Sequence, residues 1–304
     1  MMSARRTTRL VLTDAGIDDA LALIFLAEIL SGGPEHIVCN GGNISADRVA
    51  NNCAFLRDVF GWEAQLYLGS NPPYQSECDA ANVHGRWGLG ERCPPAVDLP
   101  PFDDLRSTLQ NEAGPIDILV LGPSTDLPEL LSWSAVKDRV GKLTLMGGTF
   151  GVEGNITPYA EFNVYMDPDA ADDVMGRDSG ALWVPLDVTR GHLYTREEIL
   201  SGFGEGERGR IVRELYDFAA ARHRELGAGN GVYLHDVLAA AAWLGVVDVT
   251  EKRARVRTVT RRGDKRGRIM CSDDAKDGHT VRYAADADHG QLLNQWGEVC
   301  AKIG

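Results

Sequence analysis

Residues 9 to 19 read Arg9-Leu10-Val11-Leu12-Thr13-Asp14-Ala15-Gly16-Ile17-Asp18-Asp19. The first five form an apolar, β-favouring run and predict a strand over residues 9–13. Asp14 and Gly16 interrupt it, and an acidic first turn followed by apolar residues predicts a helix over 18–30. The same alternation repeats outward. Strands are predicted at 36–39, 65–68, 117–121, 142–146 and 182–186, and helices near 46–60, 126–133, 168–175, 209–226 and 236–244. Strands that alternate with helices in this way pair in parallel through crossover connections. The expected fold is therefore a single α/β domain over residues 1–304, an open, mostly parallel sheet with helices on both faces. After residue 250 the texture changes. Strand-like pieces at 254–260 and 280–284 flank a polar stretch, 261–278, and read as a small C-terminal β hairpin or peripheral sheet closed by a helix over 289–302.

Each predicted strand ends in small or polar residues: Asp14 and Gly16, Gly41 to Asn43, Gly69, Gly122 to Thr125, Gly147 and Gly148, then Asp187. In an open parallel sheet these carboxyl ends share one edge, and ligands bind there. Two loop-rich segments, 71–101 and 227–231, are long or glycine-rich enough to cover such an edge.

Composition limits what the edge can serve. With 31 Lys+Arg against 44 Asp+Glu, the net charge is −13, so the overall field repels phosphate backbones and anionic membrane surfaces. The expectation is no nucleic-acid partner and no membrane partner. The apolar runs at 20–27 and 237–247 are too short to span a bilayer. Six cysteines without a C-x-x-C spacing suit reduced thiols in a cytoplasmic protein. Seven histidines without an H-E-x-x-H pattern do not suggest zinc. Gly204 to Gly209 fits G-x-G-x-x-G literally, but it follows a helical stretch and carries two glutamates that would repel a pyrophosphate, so it reads as a loop. The basic run Arg261 to Arg268 lacks interleaved aromatics and reads as a solvated turn.

The chemistry gathers at the strand ends. Asp14, Asp18 and Asp19 place three carboxylates within six residues, whereas one helix cap needs one. If they converge, each like-charge pair near 4 Å costs about 4 kcal/mol at an effective dielectric of 20, and a divalent cation is the natural counter-charge. Asn43, Asn155, Glu161 and Asn163 offer amides and a carboxylate suited to sugar hydroxyls, although any single Asn-Gly or Gly-Asn is also ordinary turn chemistry. Tyr233-Leu234-His235-Asp236 sets an imidazole beside a carboxylate at a helix start, an arrangement suited to proton transfer next to a metal ligand.

Taken in order, these pieces resemble the inosine-uridine nucleoside hydrolase family, whose chains open with D-x-D-P-G-x-D-D after the first strand. Asp14, Gly16, Asp18 and Asp19 match that opening. The resemblance continues through Gly42-Asn43, His84-Gly85, Leu121 to Thr125, Met146 to Gly148, Glu161 to Asn163 with Asp167-Pro168, Leu186 to Thr189, and His235-Asp236. It implies calcium held by Asp14, Asp19, the Thr125 carbonyl and Asp236, an all-oxygen set suited to a hard cation. It further implies Asp14 as general base, Asp18, Asn163 and Asp236 on the 2′- and 3′-hydroxyls, Asn155 and Glu161 toward the 5′ end, and His235 as leaving-group acid. Asn43, His84, Trp87 and Tyr233 complete the expected substrate contacts, with Trp87 or Tyr233 stacking on the base. A homo-oligomer, dimer or tetramer, is implied as well.

Three positions depart from the family pattern: Leu12 stands for its first Asp, Ala15 for its Pro, and Asp126 for an Asn. The expected function is calcium-dependent hydrolysis of the N-glycosidic bond of a ribonucleoside or related N-riboside. Leu12 motivates one alternative, a nucleoside- or sugar-binding homologue with weak hydrolysis, which ribose release would discriminate. A phosphohydrolase would need a carboxylate where Leu12 stands, and phosphate release would reveal it.

Overall fold

The structure is a computed structural model and describes residues 6–177, 179–271 and 278–303. From the first strand the chain runs β1 (Thr8–Thr13), α1 (Ile17–Ile29), β2 (His36–Cys39), α2 (Ala46–Phe60), β3 (Gln65–Leu68), α3 (Ala81–His84) and α4 (Phe102–Asn111). The middle comprises β4 (Ile116–Val120), α5 (Leu127–Ser132), β5 (Val140–Met146), α6 (Phe162–Met166), α7 (Pro168–Gly176), β6 (Leu182–Val184) and α8 (Leu186–Thr189). It closes with α9 (Arg196–Leu200), α10 (Glu207–Glu225), α11 (His235–Leu244), β7 (Val249–Thr258), β8 (Ile269–Cys271), β9 (His279–Ala287) and α12 (His289–Ile303).

Parallel strands covered on both faces need apolar residues in succession. Leu10, Val11 and Leu12 meet that requirement, each fully buried. Val11 belongs to the larger core, with α1, α2, α10 and α11, and Leu10 and Leu12 belong to the other, with Val38, Val120 and Leu127. The sheet thus separates two cores. Helix α1 buries ten of its thirteen residues because α2, α10, α11 and α12 surround it, which explains its nearly continuous apolar sequence.

The strand order is β3-β2-β1-β4-β5-β6-β9-β7-β8. Every pair from β3 to β9 is parallel, while β7 runs antiparallel to β9 and β8 to β7. The sheet is open and mostly parallel, as predicted. The chain order reverses at β1, which lies between β2 and β4, and this switch point opens a crevice beyond the carboxyl ends.

Four local expectations change. The C-terminal strands are not a separate peripheral sheet, because β9 pairs with β6 and extends the main sheet; residues 272–277 of the polar stretch lie outside the described residues. The strand predicted over 182–186 stops at Val184, because Pro185 has no N–H to donate and leads into α8. Helix α4 was not predicted, although Phe102, Leu105 and Leu109 form its buried stripe. The basic run is not simply solvated. Arg266 is 4% exposed, its guanidinium 3.5 Å from the Tyr74 ring centre and 3.8 Å from that of Tyr165, with an ion pair to Glu77 at 3.2 Å.

Candidate active site

Asp14 follows the last residue of β1, and glycines on both neighbouring strand ends let the backbone close around it. A Cβ on Gly42 would lie 2.1 Å from Asp14 Oδ2, and one on Gly122 would lie 2.8 Å from its carboxyl carbon. The Asn43 N–H donates to Asp14 Oδ2 at 2.7 Å, while Oδ1 is buried without a hydrogen-bond partner. Burial and the neighbouring Asp19 charge push the Asp14 carboxyl well above its ordinary range.

Asp19 is the hub of the turn. It accepts from the Thr13 hydroxyl at 2.6 Å, the backbone N–H groups of Asp14 and Gly16 at 3.2 and 3.0 Å, and the Asn43 amide at 3.2 Å. Ala15 takes a left-handed backbone, φ 37°, which turns the chain from strand to helix while its N–H donates to Thr13 Oγ1. Proline is excluded there, since its ring fixes φ near −65° and removes that N–H. This loop therefore accommodates the family-pattern departure at position 15.

Asp18 and Asp236 complete the cluster. One carboxylate oxygen from each of Asp18, Asp19 and Asp236 lies within 4.8 Å of the others. Burial first, then Asp19, pushes Asp18 up to about 7; burial first, then Asp18, raises Asp236 well above its usual range. Such shifts in one place show a cluster short of positive charge. A buried, unpartnered carboxylate oxygen beside three converging carboxylates fits a hard divalent cation.

Above this floor lies a cleft of about 470 Å³, lined by Asp18, Asn43, His84, Asn155, Glu161, Asn163, Tyr233, His235 and Asp236 among others. The structure thus gathers nearly all the residues singled out in the sequence. His84 Nδ1 accepts the Ile17 N–H at 3.0 Å, so the neutral ring carries its proton on Nε2, and burial lowers its pKa to about 4. Asn163 donates its amide to the carbonyls of Leu121 and Met146 at 2.7 and 3.2 Å, leaving its oxygen as acceptor. Glu161 is the N-cap of α6. Its oxygens take the N–H groups of Gly148, Asn163 and Val164, so it braces the wall more than it offers a free carboxylate. Asn155 Oδ1 accepts from Phe162 N at 2.8 Å, leaving the amide N–H groups free.

His235 opens α11 beside Asp236, with the Thr189 hydroxyl 2.6 Å from Nδ1. Burial and then the Arg190 charge hold its pKa down to about 3, so the ring is neutral near pH 7. The Tyr233 ring centre lies 5.6 Å from that of His235.

Four predicted residues do not line the cleft: Asp14 and Asp19 belong to the buried turn beside it, and Trp87 and Thr125 lie elsewhere. Trp87 is half-buried between the guanidinium groups of Arg48 and Arg86, 4.9 and 5.0 Å from its ring, and its carbonyl accepts from Asn52, so it anchors its loop. Thr125 sits beyond Gly122 on the loop that presses against Asp14. Others had escaped notice. Asn52 clamps the carbonyls of Ala15 and Trp87, an assignment no local pattern signals. Arg190 and His223 line the cleft; the first immediately follows the Leu186 to Thr189 match, the second sits in the last turn of an ordinary amphipathic helix. Leu12 is fully buried in the apolar core one strand over from Val38, and Asp126, the third departure, has its Oδ2 taken by the Asn40 amide at 2.5 Å and the Ser70 N–H at 2.8 Å.

Comparison with known proteins agrees with this geometry. The family model described as inosine-uridine preferring nucleoside hydrolase matches residues 10–294. The non-specific ribonucleoside hydrolase RihC of Escherichia coli is 31% identical over 242 residues, covering 76% of this chain and 77% of that protein. Its Klebsiella pneumoniae counterpart is 30% identical over the same length. Among solved structures, the plant nucleoside hydrolase PpNRh1 superposes with a TM-score of 0.84 at 26% identity, covering 97% of this chain and 98% of its own. A purine-preferring ribonucleoside hydrolase from Gardnerella vaginalis has the same fold, with a TM-score of 0.84 at 24% identity and 98% and 99% coverage.

Proposed function

Because the chain belongs to the inosine-uridine preferring nucleoside hydrolase family and is an N-ribohydrolase, we propose that it uses calcium to cleave a ribonucleoside or related N-riboside into free base and ribose. The observation that carries this reading is the convergence of Asp18, Asp19 and Asp236 beside the unpartnered oxygen of Asp14, at the floor of a cleft of ligand size. Asp14, Asp19, Asp236 and the Thr125 carbonyl would hold the cation. Once bound, it would increase the acidity of the attacking water and template the sugar diol.

The chain's own groups divide the remaining work. Asp14 accepts the water proton on Oδ1, with the other oxygen fixed by the Asn43 N–H. The Asn163 carbonyl oxygen and the carboxylates of Asp18 and Asp236 receive the 2′- and 3′-hydroxyls. Asn155 meets the 5′ end through its amide N–H groups, on a wall that Glu161 keeps in place. His84 offers Nε2–H to the sugar. The bond to the base breaks through an oxocarbenium-like state, so charge leaves with the base. His235 offers that base the ring nitrogen not engaged by Thr189, and Tyr233 flanks it. Trp87, enclosed by arginines, has no part in stacking.

The experiment is product analysis by mass spectrometry over a broad nucleoside panel with calcium present, alongside elemental analysis of protein purified without chelator. Base and ribose in equal amounts and near-stoichiometric calcium are expected. Full activity in metal-free protein would sink the calcium assignment, and phosphate release would favour a different hydrolase. The proposed setting is a cytoplasmic dimer or tetramer. Six free thiols, including the buried Cys39 and Cys53, support a reducing compartment, and sedimentation tests the assembly.

A further inference from the structure

Arg190 directly follows α8 and lines the cleft, where it is half-buried. Several arginines meet carboxylates, among them Arg177 with Asp173, Arg196 with Asp217, Arg222 with Glu225 and Arg282 with Glu251, whereas Arg139 and Arg208, away from the cleft, donate to backbone carbonyls. The Arg190 guanidinium likewise donates only to backbone carbonyls, Glu153 at 2.8 Å and Gly154 at 3.4 Å, and among the described residues no carboxylate lies within ion-pair reach of it. A guanidinium has five N–H donors, so this leaves most of its planar fork without a protein partner, and its charge is met only at a distance, by the Glu161 carboxylate, with no ion pair.

Its surroundings point the same way. Asn155, next along from Gly154, has its oxygen taken by Phe162 N, and among the described residues its amide N–H groups have no hydrogen-bond acceptor. The nearest acidic wall residue, Glu161, has both oxygens occupied by backbone N–H groups. The cleft is therefore bipolar, with carboxylates gathered at its floor and unsatisfied donors with one fixed positive charge at another part of its lining. Planar forks of this kind recognise phosphate and carboxylate groups.

We propose that the cleft selects a riboside carrying an anionic substituent, phosphate or carboxylate, received by Arg190 and the Asn155 amide. The inference rests on the ribohydrolase reading and narrows its substrate class. Its sources are distinguishable: a phosphate on C5′ of the sugar, or a carboxylate on the base.

The test measures kcat/KM for uridine, uridine 5′-monophosphate and orotidine with calcium present, in the wild-type protein, Arg190→Lys and Arg190→Met. Calorimetric binding of ribose 5-phosphate against ribose, and of orotidine against uridine, accompanies it. One of the two anionic substrates should outrun uridine, and which one does identifies the source. The ratio of anionic to neutral kcat/KM should fall by roughly 10- to 100-fold in Arg190→Met, the range of a lost charge-assisted hydrogen bond, with partial recovery in Arg190→Lys. Uridine outrunning both anions, with a ratio that Arg190→Met leaves unaltered, overturns the inference while the hydrolase reading stands. If no riboside is cleaved but ribose 5-phosphate binds more tightly than ribose, or orotidine than uridine, only when Arg190 is present, the hydrolase reading fails and the anion site stands. Equal binding of ribose and ribose 5-phosphate, together with equal binding of uridine and orotidine, in that case overturns both.

Discussion

Chelation should turn the acidic floor into a pH-dependent weakness. Asp18 releases its proton near 3.8 in the unfolded chain and near 7 in the folded one, because burial and the Asp19 charge oppose its ionisation. Between those values the native state binds more protons than the unfolded state, so stability falls as pH rises. At 1.36 kcal/mol per unit, this one group removes up to about 4 kcal/mol by pH 8. For a chain of this length that corresponds to roughly 6 °C in Tm. Asp14 and Asp236, raised in the same direction, add to the loss. Thermal melts of EDTA-treated protein from pH 5 to pH 8 should therefore fall more steeply for the wild type than for Asp18→Asn. Added calcium should stabilise the protein far more at pH 8 than at pH 5, since it must displace the retained protons at the lower value. Parallel Tm profiles for the two proteins, or equal calcium stabilisation at both pH values, would refute the account of a cluster short of positive charge.

Other outcomes follow from single residues. His235→Ala should lower kcat on natural nucleosides by about 10² to 10⁴ with calcium content unchanged, and should affect 4-nitrophenyl riboside far less; equal losses on both would exclude a leaving-group role. With its ring held near pKa 3, His235 contributes no limb near pH 6.5 to the free-enzyme profile of kcat/KM. Leu12→Asp should destabilise by several kcal/mol, about 3 or more, since it buries a charge in an apolar core; a neutral effect on chemical denaturation would show the position to be solvated. Ala15→Pro should cost about 3 kcal/mol or more, because the loop requires φ 37° and the N–H bond to Thr13; unchanged melting would contradict that geometry.

The alternation that began at residue 9 was legible because parallel strands under two layers of helix must be apolar in succession, and the acidic cluster because three aspartates exceed what one cap can use. Strand-end and helix-start signals carried Asn43, Asn163 and Asp236 to the cleft, and His84 came from the family resemblance. Trp87 misled because its partners, Arg48 and Arg86, enclose a ring that from sequence alone looks available. Arg190, His223 and Asn52 gave no pattern at all, since their positions depend on helices packed across the switch point. The pairing of β9 with β6 was hidden for a related reason: a strand's own sequence states that it needs a neighbour, not which edge supplies it.

Arg266 gives the sheet's distal extension a direct hold on the rim of the cleft. The segment from Tyr74 to Ala80 borders the cleft, and it packs in a small satellite cluster with Phe162 and Met166, apart from both main cores. Its other attachments include the Arg266 guanidinium against Tyr74 and Tyr165, the ion pairs of Glu77 with Arg262 and Arg266, and hydrogen bonds from the Gln75 amide to the Gly42 carbonyl and from the Ala80 N–H to the Asn43 carbonyl. Releasing that rim ruptures the aromatic clamp, the Glu77 ion pairs and two hydrogen bonds to the Gly42–Asn43 loop while both main cores stay packed, so its amides are expected to exchange with solvent by local opening, below the free energy of global unfolding. Entry to the cleft and survival of the fold are thereby governed by separate sets of contacts, and the first can be loosened from the hairpin without weakening the second.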